Sequence, residues 1–551
     1  MTINKGMMSA QAYFARIPQP QIPRSMFSRN RNMMTTMIKN KIMVLHHDEI
    51  LPADTINLDG RFFGRLLTPL KPFMDNLYVD IHVFFVPNRQ IFDKWENLQG
   101  EQEDPEANPQ PEYSVPQMEF DLGAGGVPSG IVPHSLAACF GLPLVPPLSA
   151  PLALRVSALP FRAYRKIYDD FYRDQNFQKK TLTNISQTND KYVADKYFEL
   201  QTRWKAADYF TSCLPEPQKG DPVTMNIGGL APVSGTIGVT GTVPAATTAN
   251  YVAARTANAG GPINTPSAGT NGQQLTYTLS NNSINATATH SLTANLSSAS
   301  GITINDFRIA ATMQQFLERD MRSGTRYIES LYVRFGVLAD GYRLQRPEFL
   351  GSTRIDVNIV PIAQTSANAD QPTPQGNLSA MGTLSSRGNL KIVKSFQEHG
   401  QLLVLASLIA DLNYQQGIER KWFRKSKFDF YDPIFANVGE QAVLNREIFF
   451  TDTAVDEQAF GYNEAWADYR TQKNLILNLM NSNAPTPIDM WHVAEDYLTT
   501  PTLSKQFLQY DTPIERVVAV TDEPPIEFHM YLVNKHARAI PVRSIPGIRR
   551  I

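Results

Sequence analysis

The chain predicts a mainly β fold, an antiparallel sandwich with large loops. Three observations point there. Period-two hydrophobic alternation recurs in segments far apart in the sequence. Those segments do not alternate regularly with helices, which argues against a parallel α/β sheet. Long connections punctuated by proline separate many of them, as at Pro143, Pro146, Pro147 and Pro151. Structureless loops beyond about 15 residues are uncommon unless they have a function, so the insertions are read as functional.

The elements follow from local pattern. Leu77, Val79, Ile81, Val83 and Phe85 alternate with Tyr78, Asp80, His82 and Phe84. Ile355, Val357 and Ile359 alternate with Asp356 and Asn358, and Ile526, Phe528, Met530 and Leu532 with Glu527, His529 and Tyr531. Gln401–Ile409 is apolar on both faces and suits a strand covered on both sides. The β-branched run Val517–Val520 predicts another short strand. Helices are fewer. Phe161, Tyr164, Tyr168, Phe171 and Tyr172 fall mostly at three- and four-residue spacings and form an aromatic stripe. Thr303 and Asp306 form a capping box ahead of a helix over Phe307–Arg322, with Gly324 at the C-terminal cap position. Ala465–Arg470 is a third helical candidate.

Composition sets the organisation. The 551 residues are 42% hydrophobic, enough for a large core, and the formal net charge is −1. Such a balance describes neither a nucleic-acid clamp nor an acidic solubiliser. Between Asp221 and Asp306 the single charged side chain is Arg255, in a span rich in Thr, Ala, Asn, Gly and Ser. Enzymes seldom need such an insertion; particle-forming and cell-attaching proteins often do. The expected layout is a basic N-terminal arm (1–45), a first core part (46–220), a charge-poor insertion (221–305) and a second core part with a basic tail (306–551). Cys139 and Cys213 make no disulfide framework and suit a reducing compartment. There is no signal-peptide stretch and no run near the roughly 18 apolar residues of a membrane helix. A protein made and assembled in a cytoplasm, without membrane insertion, is expected.

Catalytic signatures are absent from the sequence. His46-His47 resembles a metal pair, but neighbours on a strand point to opposite faces. The other histidines lack zinc-like spacing, and neither cysteine has a CxxC partner. No Walker loop or GxSxG elbow occurs. Gly123, Gly125, Gly126 and Gly130 lie among prolines and read as a flexible loop. Asp169-Asp170, on the aromatic-striped helix, reads as its solvated face. No catalytic residue, cofactor or metal ligand is assigned. Basic residues carry the one binding expectation: Arg24, Arg29, Arg31, Lys39 and Lys41 near one end and Arg549 and Arg550 at the other, each in a terminal stretch that holds no acid. Cations release phosphate counterions, and single-stranded bases stack on aromatics such as Tyr13, Phe14 and Phe27. The same arginines could instead grip a neighbouring subunit.

Several runs are specific beyond composition: LPFRAY (159–164), FYRDQNFQ (171–178), DYFTSCLPEPQKG (208–220), LERDMRSGTRY (317–327), LQRPEFLG (344–351), NYQQG (413–417), GEQAVLN (439–445), FGYNEAWADYR (460–470) and VRSIPG (542–547). Together they resemble the major capsid proteins of the Microviridae, small tailless bacteriophages, in particular the gokushovirus type. The likeness runs from about Asp48 to the C-terminus and breaks in the neutral insertion. Two departures stand out: Glu216 lies between the prolines where the family carries Trp, and Ala207 precedes Asp208 where it carries His.

The resemblance implies an eight-stranded viral jelly roll with long inter-strand insertions containing a few helices. It also implies a T=1 icosahedral shell of sixty copies around circular single-stranded DNA, without enzymatic activity. Implied partners are other copies of the chain, a small basic DNA-binding protein, a pilot protein and a host-cell surface receptor. By position and composition, 221–305 matches the protrusion thought to meet the host in such relatives. Two other readings are a β-sandwich carbohydrate hydrolase, which needs two acids converging on a cleft, and a phage receptor-binding adhesin, which would show fibrous repeats or heptads.

Overall fold

The computed structural model describes residues 24–101, 112–122, 131–144, 152–192, 200–221, 223, 233–234, 237–241, 286–290, 293–294, 304–322, 345–363, 365 and 376–543. The chain divides into two compact units, 1–219 with 318–551, and 220–317. In chain order the first unit opens with β1 (Ser25–Ser28), β2 (Arg31–Met37), β3 (Ile42–Ile50), β4 (Thr55–Leu66) and β5 (Leu77–Pro87). Three insertion strands follow: β6 (Gln117–Leu122), β7 (Leu152–Ser157) and β8 (Asp190–Tyr192). The second unit holds β9 (Val233–Ser234), β10 (Ile237–Gly241), β11 (Ala286–His290) and β12 (Thr293–Ala294). The first unit resumes with β13 (Glu348–Asp356), β14 (Asn358–Ala363), β15 (Leu378–Ser395), β16 (Gly400–Ala410), β17 (Glu440–Leu444), β18 (Ala459–Glu464) and β19 (Ile526–Arg538).

Two antiparallel sheets make the body of the first unit. One runs β1-β19-β4-β15-β14, with β2 also on β19; the other runs β13-β5-β16-β3. From β2 onward the chain passes between them at nearly every step: β2, β4, β15 and β19 belong to one sheet, and β3, β5, β13 and β16 to the other. That exchange is the jelly-roll topology expected from the resemblance. The connections are very unequal. Asn88 to Pro347 separates β5 from β13, and Asp411 to Pro525 separates β16 from β19, whereas most others are tight.

The core lies between the sheets. On β19, Ile526, Phe528, Met530 and Leu532 are buried while Glu527 is exposed, as the alternation predicts. Ile56, Leu58, Phe62 and Leu66 of β4 face the same interior, and Phe62 stacks on Phe528 at 6.0 Å. β16 is buried along its whole length, as its two-sided apolar pattern requires. β5 is a strand as predicted, but its second face is also covered, with only His82 partly accessible. The cover is the insertion helix α1 (Leu159–Ile167), which continues as a π turn through Tyr172. There Phe84 meets Phe171 at 4.8 Å, and the Tyr164 hydroxyl donates to the Ile42 carbonyl at 2.8 Å. The outward face of the six-stranded sheet carries exposed residues instead, among them Arg61, Phe63 and Arg65.

Three expectations are corrected. The alternation over Ile355–Ile359 does not make one strand: β13 ends at Asp356 and β14 begins at Asn358 in the other sheet. Val517–Val520 forms no strand. Ile514–Arg516 is a single 3₁₀ turn, and only an isolated bridge from Val518 to Pro69 follows. Burial of Val517 and Val518 against the core, not ladder pairing, accounts for the apolar run. Asp169 is not on a solvated face but buried, accepting from the Thr181 backbone N–H and hydroxyl and from the Leu182 N–H at 2.9–3.0 Å. Asp170 is half-buried and pairs with Lys166 at 3.0 Å.

In the second unit β10 pairs with β11 and β9 with β12, both antiparallel. A second long helix, α2, spans Ile304–Arg322, starting three residues before the predicted Phe307. Its proposed caps, Thr303 and Gly324, lie outside the described residues, as do the glycine loop 123–130 and the alternation at Leu275–Leu279. Ala465–Arg470 contains one short helical turn, Ala467–Arg470.

Candidate subunit and nucleic-acid interfaces

Buried polar groups, besides apolar packing, tie each long insertion to the roll. Arg162 of α1 is fully buried, and all its donors are used. Nε and Nη2 reach the Asp190 carboxylate at 2.7 and 3.3 Å, Nη1 the Ile91 and Ser186 carbonyls at 3.2 and 2.9 Å, and Nη2 the Thr188 carbonyl at 2.9 Å. Asp80 of β5 receives Arg354 of β13 at 2.7 Å and Arg203 at 3.4 Å. His82, two residues on, meets the Tyr172 hydroxyl at 2.6 Å. Burial pushes His82 down to about 4, with the Arg203 guanidinium acting in the same direction.

The family-like motifs meet where the two insertions join. Tyr209 donates to Glu447 at 2.7 Å, and Tyr414 donates to Asp208. Leu214 and Tyr462 exchange backbone hydrogen bonds at 2.6 and 2.8 Å. Gly417 packs against the Glu447 backbone with no room for a Cβ. The runs DYFTSC, NYQQG, GEQAVLN and FGYNEA therefore form one joint, around a second cluster that includes Phe210, Val443, Phe460 and Phe507. Burial is the largest cause raising the Tyr209 hydroxyl, and the same effect lowers Lys473. Sequence reasoning noted these runs without a role, because their partners are separated by hundreds of positions.

Beside that joint lies an exposed aromatic and basic surface. Trp422, Phe428, Phe430, Tyr431 and Ile434 are all exposed, Ile434 at 85%. They are interleaved with Arg420, Lys421, Arg424, Lys425 and Lys427. Arg424 lies over the Tyr469 ring at 4.2 Å and Arg446 over Phe423 at 3.9 Å. Apolar exposure on this scale marks an interaction surface, and Arg with aromatics is the composition of interface hot spots.

The basic residues singled out from the N-terminal sequence have partners on different elements. The segment 24–45, grouped with an arm on composition, is largely strand, with β1 and β2 on β19 and β3 on β16. Arg24 is exposed and donates to Thr55 Oγ1 at 2.6 Å. Arg29 grips Asp48 through two hydrogen bonds of 2.9 and 2.7 Å. Arg31 is exposed, with Nη1 3.4 Å from His46 Nδ1. Lys39 pairs with Glu515 at 2.7 Å, and Lys41 donates to Thr202 Oγ1 at 3.1 Å. Arg549 and Arg550 lie outside the described residues. The structure thus does not bring these cations into one cluster, and two of them are neutralised by carboxylates of the same chain.

His46 and His536 approach the Arg29–Asp48 pair from the interior. His536 is fully buried, with Nε2 3.5 Å from Asp48 Oδ2. Burial pushes both rings down to about 4; Arg29 acts in the same direction and Asp48 opposes. His47 points away to Gln401 at 2.6 Å. Among the described residues no group of three His, Cys, Asp or Glu side chains has the arrangement of a metal site. Both cysteines are free, and burial pushes the Cys139 thiol up to about 11. No described helix is long and apolar enough to cross a membrane.

Strands exchanged between two sheets, with insertions far longer than the strands they join and a broad exposed contact surface, define a shell-forming jelly-roll protein. The family profile described as Capsid protein (F protein) matches residues 15–548. Capsid protein VP1 of Bdellovibrio phage phiMH2K is 37% identical over 549 residues, 98% of each chain. Capsid protein VP1 of Chlamydia phage 1 is 34% identical over 611 aligned positions, again 98% of each. Capsid protein VP1 of Spiroplasma virus 4 is 35% identical over 562, 96% of each. The chain belongs to the F-type capsid protein family of Microviridae-type phages: it is a major capsid protein, its place is the virion, and its role is structural assembly of a shell.

Proposed function

We propose that this coat protein closes into an icosahedral shell of sixty copies around a single-stranded DNA genome, assembled in the host cytoplasm, with 221–305 as the protrusion that meets the host. The observation carrying the reading is the division of labour along the chain. A roll hides its backbone in two sheets, while two insertions welded at Tyr209–Glu447 present aromatic and basic side chains outward. Heterologous contacts of that kind close into a shell when their rotations match the symmetry. Many such contacts, each reversible during assembly, add up to a stable particle.

The insertion supports the host-recognition reading by composition: hydroxyls and amides without long-range charge can hydrogen-bond a polysaccharide or protein receptor. For the genome, Arg24 and Arg31 are the exposed cations of the N-terminal set, because Arg29 and Lys39 are held by Asp48 and Glu515 and Lys41 is half-buried with its ammonium on Thr202. Arg549 and Arg550 complete the set by sequence. A pilot protein and a small basic DNA-binding protein are the expected companions in the particle. The test is deletion of 225–300. Megadalton particles on a sucrose gradient and in negative stain should persist while attachment to host cells is lost. Failure to form particles would count against a surface protrusion, and unimpaired attachment against a receptor role.

A further inference from the structure

Among the described residues one sheet face is left largely uncovered, and its residues have an order that shell contacts do not require. The four-stranded sheet is covered by α1 and its neighbours, but among the described residues the outward face of the six-stranded sheet is open over β4 and β15, while the first insertion reaches its β2 edge, where His134 Nε2 meets Thr36 Oγ1 at 2.7 Å. Cross-strand register sorts that face into rows. Tyr531 of β19 lies opposite Arg61 of β4, His529 opposite Phe63, and Glu527 opposite Arg65. Lys391 of β15 sits beside Asp59, and Lys535 of β19 beside Asn57. Arg61, Arg65, Lys391 and Lys535 are exposed and form no hydrogen bond or ion pair with any described residue, while the acids on the same face are Asp59 and Glu527. Arg65 also lies 6.0 Å from the Phe63 ring centroid.

We propose that this open face binds single-stranded DNA, with bases stacked on Phe63 and Tyr531 and phosphates on Arg61, Arg65, Lys391 and Lys535. The proposal rests on the genome-enclosing reading above and gives it a surface. Residues two apart on a strand are separated by about 7 Å, and neighbouring strands by about 4.8 Å. An unstacked single strand can span such steps between successive nucleotides. Aromatic platforms ringed by cations bind single strands without regard to sequence, because every base has a π-face. At Phe63 the face deepens into a cavity of about 780 Å³ lined also by Met34, His134, Leu142 and His529. That volume is in the range of ordinary small-ligand sites and offers room for a flipped base. A protein partner fits less well. Interface cores are depleted in charge, and here four exposed cations stand on the face, on β19, β4 and β15. Val360, Ile362 and Met381, toward the β14 edge, are where a second copy would find apolar contact.

The experiment has two arms on the full-length chain. In the first, fluorescence anisotropy follows unassembled coat protein binding a thirty-nucleotide oligo-dT, with oligo-rU beside it, across a salt series. Phe63→Ala should weaken oligo-dT binding about tenfold, and Phe63→Trp should retain it. Arg61→Gln with Arg65→Gln should lower the slope of log affinity against log salt by about 1.4. Unchanged affinity and slope, or a clear preference for oligo-rU, would overturn the proposal. In the second arm, ultraviolet crosslinking of genome-filled particles should place adducts on β19 and β4 near Tyr531 and Phe63. Amine crosslinks from Lys391 or Lys535 to another copy, with no nucleotide adducts on the face, would assign it to subunit contact and overturn the proposal. Nuclease typing of the extracted genome keeps the readings apart: a double-stranded or RNA genome sinks the enclosing function whatever the face does.

Discussion

Replacing Arg162 with Met tests whether a buried ion pair, rather than apolar packing, holds the first insertion on the roll. The guanidinium is completely inaccessible, and its donors serve Asp190 and the carbonyls of Ile91, Ser186 and Thr188. Met fills similar volume but donates nothing. Asp190 then remains buried with Asn184, at 2.7 Å, as its main hydrogen-bond donor. Breaking a buried pair from one side costs about 3–5 kcal/mol, because the surviving charge is uncompensated. Neutralising that charge should recover part of the loss, so Arg162→Met with Asp190→Asn should be about 1–3 kcal/mol more stable than Arg162→Met alone. Urea unfolding of unassembled protein, followed by tryptophan fluorescence, measures both differences, and limited proteolysis reports loosening of 88–192. A loss under 1 kcal/mol for Arg162→Met, or no recovery in the double variant, would show that apolar packing of α1 suffices.

Acid should destabilise the roll through its buried histidines. His46 and His536 have folded values near 4 against 6.5 in the unfolded chain, so unfolding takes up protons below about 6.5. The stability their neutral rings permit is complete above 6.5 and is lost as the pH falls towards 4, by at most about 3 kcal/mol per ring. The urea midpoint should fall between pH 7.5 and 5.0, and His536→Gln should reduce that dependence; an equal slope in both proteins would refute it. Gly417→Ala should cost about 1–3 kcal/mol, because the added Cβ meets the Glu447 and Ile448 backbone, which cannot step aside as a flexible side chain would. A variant with the parent's urea midpoint would show that the joint between the insertions is slack.

Much of the fold was legible because local pattern carries it. The alternation in Ile526–Leu532 and the two-sided apolar run Gln401–Ile409 announce a half-open strand and an enclosed strand, since strand side chains repeat every two residues whatever the neighbours are. The run Val517–Val520 misled for the same reason: β-branched residues suit a buried turn as well as a strand, and only the neighbouring chain decides. The aromatic stripe on α1 was visible, but the burial of Asp169 was not, because its donors sit on a returning loop at Thr181 and Leu182.

The basic segment 24–45 marks the boundary between the two kinds of knowledge. Its lack of acids is a sequence fact, but whether each cation is free depends on Asp48, Thr55, Thr202 and Glu515, which the fold brings from elsewhere. The sequence alone determined the β class, the neutral excursion and, through its ordered motifs, the capsid family. Only the tertiary structure decided which sheet face stays open, which charges are neutralised and how the two insertions lock together. The physical reason is range: periodicity acts between adjacent residues, whereas pairing and desolvation act between groups whose separation along the chain says nothing about their distance in space.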